Sequence, residues 1–256
     1  GPSERWTPPC AITTRPQLSL VSGPQLISLS ETQYREILAD ETVVSDTSAA
    51  ARVEKVGTRI ADAAESFLRE HGREAEIREY DWEFNLVKDD QVNAFCLPGG
   101  KIAVYTGLLE VAEDETSLAV VIGHEVAHAI ANHGGERLSQ QLLVKLGAET
   151  LSEAMGKNPT RTKQILYQAY GIGTQYGIML PYSRLHEKEA DAIGLILMAK
   201  AGYNPEAAVS FWEKMSKASP EAPFEFLSTH PAGDTRIAAI KENLSRAKQY
   251  YNKSFI

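Results

Sequence analysis

The side chains of this chain best suited to chemistry are His124, Glu125 and His128, in the run Gly123-His-Glu-Val-Ala-His128. Histidines four positions apart on a helix lie about one turn apart and share a face. Both imidazoles then reach a single metal ion, and the glutamate between them is placed to take and return a proton. H-E-x-x-H on a helix is the arrangement that binds zinc with its glutamate as general base. Two histidines leave such a site one protein ligand short, because catalytic zinc takes three plus a water. The extended form H-E-x-x-H-x-x-G-x-x-H needs a glycine at position 131 and a histidine at position 134. The chain has Ala131 and Gly134 there, which excludes it. If the helix continues, His133 lies about 140° round it from His128 and is expected to be exposed.

The better source of a third ligand is Ser183-Arg-Leu-His-Glu187-Lys-Glu189-Ala-Asp191. Glu187 and Asp191 are four apart and share a helical face, while Glu189 points nearly opposite. One carboxylate of the pair can ligate the metal, and the other can accept the second ring N–H of a ligating histidine, fixing its tautomer. We assign Glu187 to the metal and Asp191 to His124. The flanking Ala190, Ala192, Ile193, Leu195 and Ile196 read as a mostly buried helix, where acids are costly without partners.

These two stretches need elements to hold them together. Asp114 is placed to cap the helix of the motif, with Glu115 near its positive end, and Gly134-Gly135 offers a stop. The helix of Glu187 and Asp191 should run from about Arg184 to Ala201. Upstream, residues 1–30 hold five of the twelve prolines and little apolar periodicity, which predicts an extended arm ahead of one domain over 31–256. Ser30 is the expected cap of a helix to Asp40, and Ser48 to Glu70 carries a helical apolar stripe from Val53 to Phe67. Trp82, Phe84 and Leu86 alternate as in a strand. Val92 to Leu97 and Lys101 to Tyr105 follow as two more, predicting a small antiparallel sheet beside the motif helix. Residues 136–155 and 160–171 read as helical, with Gly171, Gly173 and Gly177 making the next segment pliable. Asn204-Pro205 opens a helix through Phe211, Trp212 and Met215, and Asp234 begins a last one to Tyr250. The class is α+β, mainly helical.

Composition narrows the function classes. A net charge of −8 with no basic block argues against a nucleic-acid surface. No uninterrupted apolar run of about 18 residues is present to span a membrane, and no stretch reads as a signal peptide, which is consistent with a native targeting segment having been cut away. The opening Gly1-Pro2-Ser3 reads as a tag-cleavage scar. Two cysteines, Cys10 and Cys96, are too few for a disulfide framework or a cysteine metal site.

Gly123 to His128, Ser183-Arg184 followed by Glu187 and Ala190-Asp191, and Thr229-His230-Pro231 with Arg236 together resemble one family. It is the HtpX-like and CAAX-protease-like zinc metallopeptidases, the gluzincin branch with a glutamate third ligand. Asn93 to Ile102 and Tyr105 to Leu109 also resemble the family's sheet edge and following helix. The resemblance implies a zincin-type (minigluzincin) domain holding one Zn2+, with His124, His128 and Glu187 as ligands. It further implies Glu125 as general base and acid, Asp191 behind the ligands, His230 on the oxyanion and Arg236 supporting that region. Lacking membrane spans, the chain is similar to the family's soluble periplasmic subgroup. That likeness implies a bacterial cell-envelope location and misfolded or misassembled proteins as substrates. Cys10 to Leu18 resembles the lipid-bearing start of envelope lipoproteins in that subgroup, although Thr7-Pro8-Pro9 departs from the small-residue box expected before such a cysteine. An extended substrate is expected to add to a sheet edge, with Asn93 and Ala94 as contacts.

The expected function is thus a zinc endopeptidase acting in protein quality control. The rival reading is a zinc-binding chaperone or assembly factor whose proteolysis is latent, with the segment from Gly135 to Pro181 covering the cleft. Elemental analysis is expected to find one zinc per chain, and Glu187→Ala to lose it. Zinc retained in that variant would move the third ligand to Glu189, Glu153 or His133. A metal-free wild type would leave only a helical interaction domain.

Overall fold

The computed structural model describes residues 15–146, 162, 164–166, 168, 182–217, 225–230 and 234–251. The long helix α2 (Ser48–Glu70) begins where Thr47 Oγ1 accepts a hydrogen bond from the N–H of Ala50 at 3.1 Å. Its stripe Val53, Val56, Ile60, Ala63, Ala64 and Phe67 is buried, and Gly72 ends it at φ +70°. The motif helix α3 (Glu115–Ile130) starts at Asp114, whose carboxylate accepts from Ser117 N–H at 2.6 Å. It is buried on nearly every face, as expected for a helix through the middle of a core.

Before it, α1 spans Gly23–Asp40, so the arm expected to extend through residue 30 gives way to helix at Ser22. The Gln25 side chain accepts from both the N–H and the hydroxyl of Ser22, and Pro24 sits in the first turn. Ser30, expected as the cap, is inside the helix, and its hydroxyl donates back to the Leu26 carbonyl at 2.8 Å. Val21, Leu26 and Leu29 form a second, smaller core with Leu138, Leu142 and Leu166.

The sheet has four strands in the order β1 (Val43–Val44), β2 (Glu83–Val87), β4 (Lys101–Tyr105), β3 (Ala94–Leu97). It is mixed, which corrects the all-antiparallel expectation: β2 and β4 are parallel, while β1–β2 and β3–β4 are antiparallel. The chain after β2 crosses the end of β4 instead of turning back on itself. There Thr106 Oγ1 donates to the Asp89 carbonyl, and the N–H of Gly107 donates to the same oxygen. A Cβ on Gly107 would collide with the backbone of Asp90, so the crossing needs glycine. The strand Lys101–Tyr105 is therefore central and fully buried, and Ala94–Leu97 is the edge beside α3.

Helix α4 (His133–Leu146) does not extend α3. Asn132 adopts φ +55°, breaks the helix there, and starts a new one that contains Gly134 and Gly135. The glycine pair expected as the stop is thus inside the next helix. Helix α5 (Arg184–Lys200) begins at Ser183, whose hydroxyl accepts from His186 N–H. It is followed by α6 (Ala207–Ser216), the short α7 (Glu225–Thr229) and α8 (Asp234–Lys248). Of the expected helix over 160–171, residues 162, 164–166 and 168 are described and are helical; the pliable glycines 171–177 and Cys10 lie outside the described residues. Among the described residues, no helix is long and apolar enough to cross a membrane.

Helices α3 and α5 form the central pair of the fold. A Cβ on Gly123 would lie 3.1 Å from the Gly194 carbonyl oxygen, and one on Gly194 would lie 3.1 Å from Gly123 and His124 backbone atoms. The two backbones touch, and that contact sets the separation of His124 from Asp191. Gly194→Val is expected to destabilise the chain by about 1–3 kcal/mol, the usual range for overpacking, read as a lower urea midpoint. An unchanged midpoint would show that the helix contact does not bear on stability.

Candidate metal centre

Three elements bring the site together. His124, Glu125 and His128 come from α3, Glu187 and Asp191 from α5, and His230 directly follows α7; all six are buried. One nitrogen or oxygen from each of His124, His128, Glu187 and His230 lies within 4.8 Å of the others. His124 Nε2 is 3.0 Å from His128 Nε2 and 3.4 Å from Glu187 Oε2, and His128 Nε2 is 3.2 Å from Glu187 Oε1.

The hydrogen bonds behind the rings decide which nitrogens carry protons. His124 Nδ1 lies 2.9 Å from Asp191 Oδ1 and donates to it, which leaves a lone pair on Nε2 of the neutral ring. His128 Nδ1 lies 2.9 Å from His133 Nδ1, and His133 Nε2 lies 3.0 Å from Glu189 Oε2. Glu189 can only accept, so His133 donates from Nε2, accepts at Nδ1, and leaves His128 with its lone pair on Nε2 as well. Two lone pairs and a carboxylate thus face one point, an arrangement that repels itself unless a cation sits there. A tetrahedral ion with bonds of about 2.0–2.1 Å sets its ligand atoms about 3.3 Å apart. The observed separations match that spacing, and the His2Glu donor set suits zinc.

Without a cation between them, the acids of the site instead draw a proton onto it. Burial alone would lower His124, but the charge of Glu187 and the Asp191 hydrogen bond raise it to about 9. Burial pushes His128 well below its ordinary value. Burial tends to raise Glu187, yet the neighbouring His230 and His124 hold it well below the carboxylate range. Arg236 anchors the rear of the site: Nε donates to Asp191 Oδ2 at 2.8 Å and Nη2 to Oδ1 at 2.7 Å. Its Nη1 donates to the His230 carbonyl at 3.1 Å, and its guanidinium lies over the Trp212 ring.

Glu125 is buried beside the β3 edge, and burial raises its carboxyl above the ordinary range against the pull of His230 and His124. Asn93 and Ala94, the expected substrate contacts, are both buried at the start of β3. Asn93 Oδ1 accepts from Ala94 N–H, and the carbonyl of Val92 is already taken by Phe226 N–H at 3.0 Å. His230, expected to act on an oxyanion, lies beside the candidate ligands, with Nδ1 3.0 Å from His124 Nε2 and 2.9 Å from Glu187 Oε1. Its Nε2 faces Glu125 Oε1 at 3.2 Å.

Two further differences concern residues that helical spacing alone misplaces. His133 is fully buried rather than exposed, because the break at Asn132 turns it back towards His128. Tyr182 stacks on His128 with ring centroids 4.0 Å apart, and its N–H donates to the Thr229 carbonyl. No motif marks Tyr182 in the sequence; only the packing of residues far apart in the chain reveals it.

A family model described as Peptidase family M48 matches residues 50–244. The mitochondrial metalloendopeptidase OMA1 of Arabidopsis thaliana is 38% identical over 172 residues, which cover 67% of this chain and 33% of that protein. The human metalloendopeptidase OMA1, mitochondrial, is 32% identical over 243 residues, covering 92% of this chain and 45% of that protein. The beta-barrel assembly-enhancing protease of Escherichia coli is 24% identical over 239 residues, covering 90% of this chain and 46% of that protein. The chain spans a third to a half of the length of these relatives. With the family model covering most of its residues and its motif residues gathered at one buried centre, the chain belongs to peptidase family M48.

Proposed function

We propose that the chain is a zinc-dependent endopeptidase in which His124, His128 and Glu187 hold the ion. The observation that carries this reading is the convergence of two imidazole lone pairs and a carboxylate on one buried point beside Glu125. Zinc in such a site lowers the pKa of a water towards about 7 and polarises a carbonyl. The residues of the chain supply the rest. Glu125, buried with its carboxyl raised, takes the proton of the attacking water and returns it to the leaving amine. Asp191, clamped by Arg236, keeps His124 in the tautomer that presents Nε2. The Ala94–Leu97 edge of the sheet, beside Glu125, would align an extended peptide by strand addition once the residues over it move aside.

The substrates we propose are unfolded or misassembled proteins of a cell envelope or organelle membrane system. The sequence resemblance to the envelope subgroup supports that class, as do relatives named for mitochondria and for β-barrel assembly. A lipid anchor at Cys10 belongs to the same proposal.

A second reading, a latent or self-inhibited form, is favoured by His230. A catalytic zinc site keeps one position for water, and His230 Nδ1 stands among the ligand atoms where that water would bind. Phe226 also occupies the carbonyl of Val92, at the edge where a substrate strand would add. Among the described residues, the segment 225–230 and Tyr182 lie over the site; most of the stretch expected from Gly135 to Pro181 lies outside the described residues.

Glu125→Gln is expected to keep its zinc and lose casein cleavage by at least about 100-fold, the scale of a general base. Full cleavage by that variant would overturn the enzyme reading. His230→Ala is expected to retain zinc and cleave casein faster than wild type. A fall of about 100-fold or more would instead assign His230 to transition-state stabilisation.

A further inference from the structure

His124 is supported from behind by an arginine–carboxylate pair, Arg236 and Asp191. His128 has a support of the same make, and its arginine comes from the other end of the chain. Arg15 donates from Nε to Glu189 Oε1 at 2.7 Å and from Nη2 to Glu189 Oε2 at 2.9 Å. The same guanidinium donates from Nη1 and Nη2 to the two oxygens of Glu136, each at 2.8 Å. Glu189 lies on α5 and Glu136 on α4, so one side chain joins both helices. Each carboxylate also holds a histidine: Glu189 takes His133 Nε2 at 3.0 Å, and Glu136 takes His186 Nε2 at 3.1 Å. His133 and His186 stack with centroids 4.5 Å apart.

The line Arg15–Glu189–His133–His128 has one consistent direction. The guanidinium can only donate and an ionised carboxylate can only accept. Glu189 therefore receives from Arg15 and from His133, and His133 in turn receives from His128. Without Arg15, Glu189 and Glu136 would share a largely buried corner with the imidazoles of His133 and His186 and lose the guanidinium that offsets both.

We infer that Arg15, on the segment ahead of the first helix, is a positioning residue for the metal centre: through Glu189 and His133 it fixes the tautomer and ring orientation of His128. The inference rests on the zinc reading proposed above. It makes the N-terminal segment part of the site's support, not a separate arm. Gln17 Nε2 donates to the Ala131 carbonyl at 2.7 Å, and Leu20 N–H donates to Ser139 Oγ at 3.0 Å. These contacts hold Arg15 in register with the end of the motif helix.

The test is the zinc dissociation constant of the full chain, measured by competition with a chromophoric chelator. Arg15→Met is expected to weaken zinc binding about 10- to 100-fold, the usual effect of losing a group behind a ligating histidine. Arg15→Lys, which keeps the charge but not the fork, should recover part of that loss. Adding Arg15→Met to Glu189→Gln should weaken binding little further, since both act on one line. Leu26→Ala, which disturbs only the small core under the segment, should lower the Tm and leave zinc affinity unchanged. Wild-type affinity in Arg15→Met would overturn the inference while leaving the zinc site intact. So would full additivity with Glu189→Gln, or an equal loss of affinity in Leu26→Ala. A wild type that takes up no zinc would overturn the metal reading and this inference with it.

Discussion

The whole structure depends on placing charge where water cannot reach it. His124, His128, Glu125, Glu187, Asp191 and His230 are all buried in one pocket, and isolated buried charges of this kind are costly. They are tolerable because every one has a partner. Asp191 is forked by Arg236, Glu187 is surrounded by imidazoles and an arginine nitrogen, and His124 and His128 are each backed by an acceptor. The remaining imbalance is a surplus of lone pairs aimed at one point, which is the condition for holding a cation.

The packing exists to keep those partners at hydrogen-bond distance. Gly123 and Gly194 let α3 and α5 meet backbone to backbone. That contact places the histidines of one helix over the acids of the other. The mixed sheet adds the wall beside Glu125, with a fully buried central strand that fixes the edge strand in turn. The aromatic rings of Trp212, Phe226 and Tyr182 pack against the histidines of the site and lower the polarity around them, which strengthens each electrostatic contact there.

The N-terminal segment and the C-terminal helix meet the site from opposite ends of the chain. Arg236 on α8 and Arg15 ahead of α1 each reach a carboxylate on α5, and each carboxylate leads to a histidine of α3 directly or through His133. Residues near both ends of the chain thus bear on the centre.

Local periodicity and capping were legible from the residues alone. The stripe of α2, the Asp114 cap of α3, the spacing of His124 and His128, and the shared face of Glu187 and Asp191 depend on neighbours within a few positions. The start of α1 was not legible: the prolines of residues 1–30 read as an extended arm and Ser30 as the cap, whereas Ser22 and Gln25 form the capping box. What the chain's order could not reveal was long-range. The parallel pairing of β2 with β4 arises because the link between β2 and β3 crosses the end of β4, which no turn motif announces. His133 turns inward because Asn132 takes a left-handed conformation that helical spacing does not anticipate. His230 reaches the ligand atoms, Tyr182 covers His128, and Arg15 meets Glu189 across 174 positions, all through contacts between residues far apart in sequence. The amino-acid pattern by itself determined which groups can bind a metal and move a proton. Only the tertiary structure decided which of them share one pocket, because that depends on how closely two helices approach and on what the two chain ends bring to them.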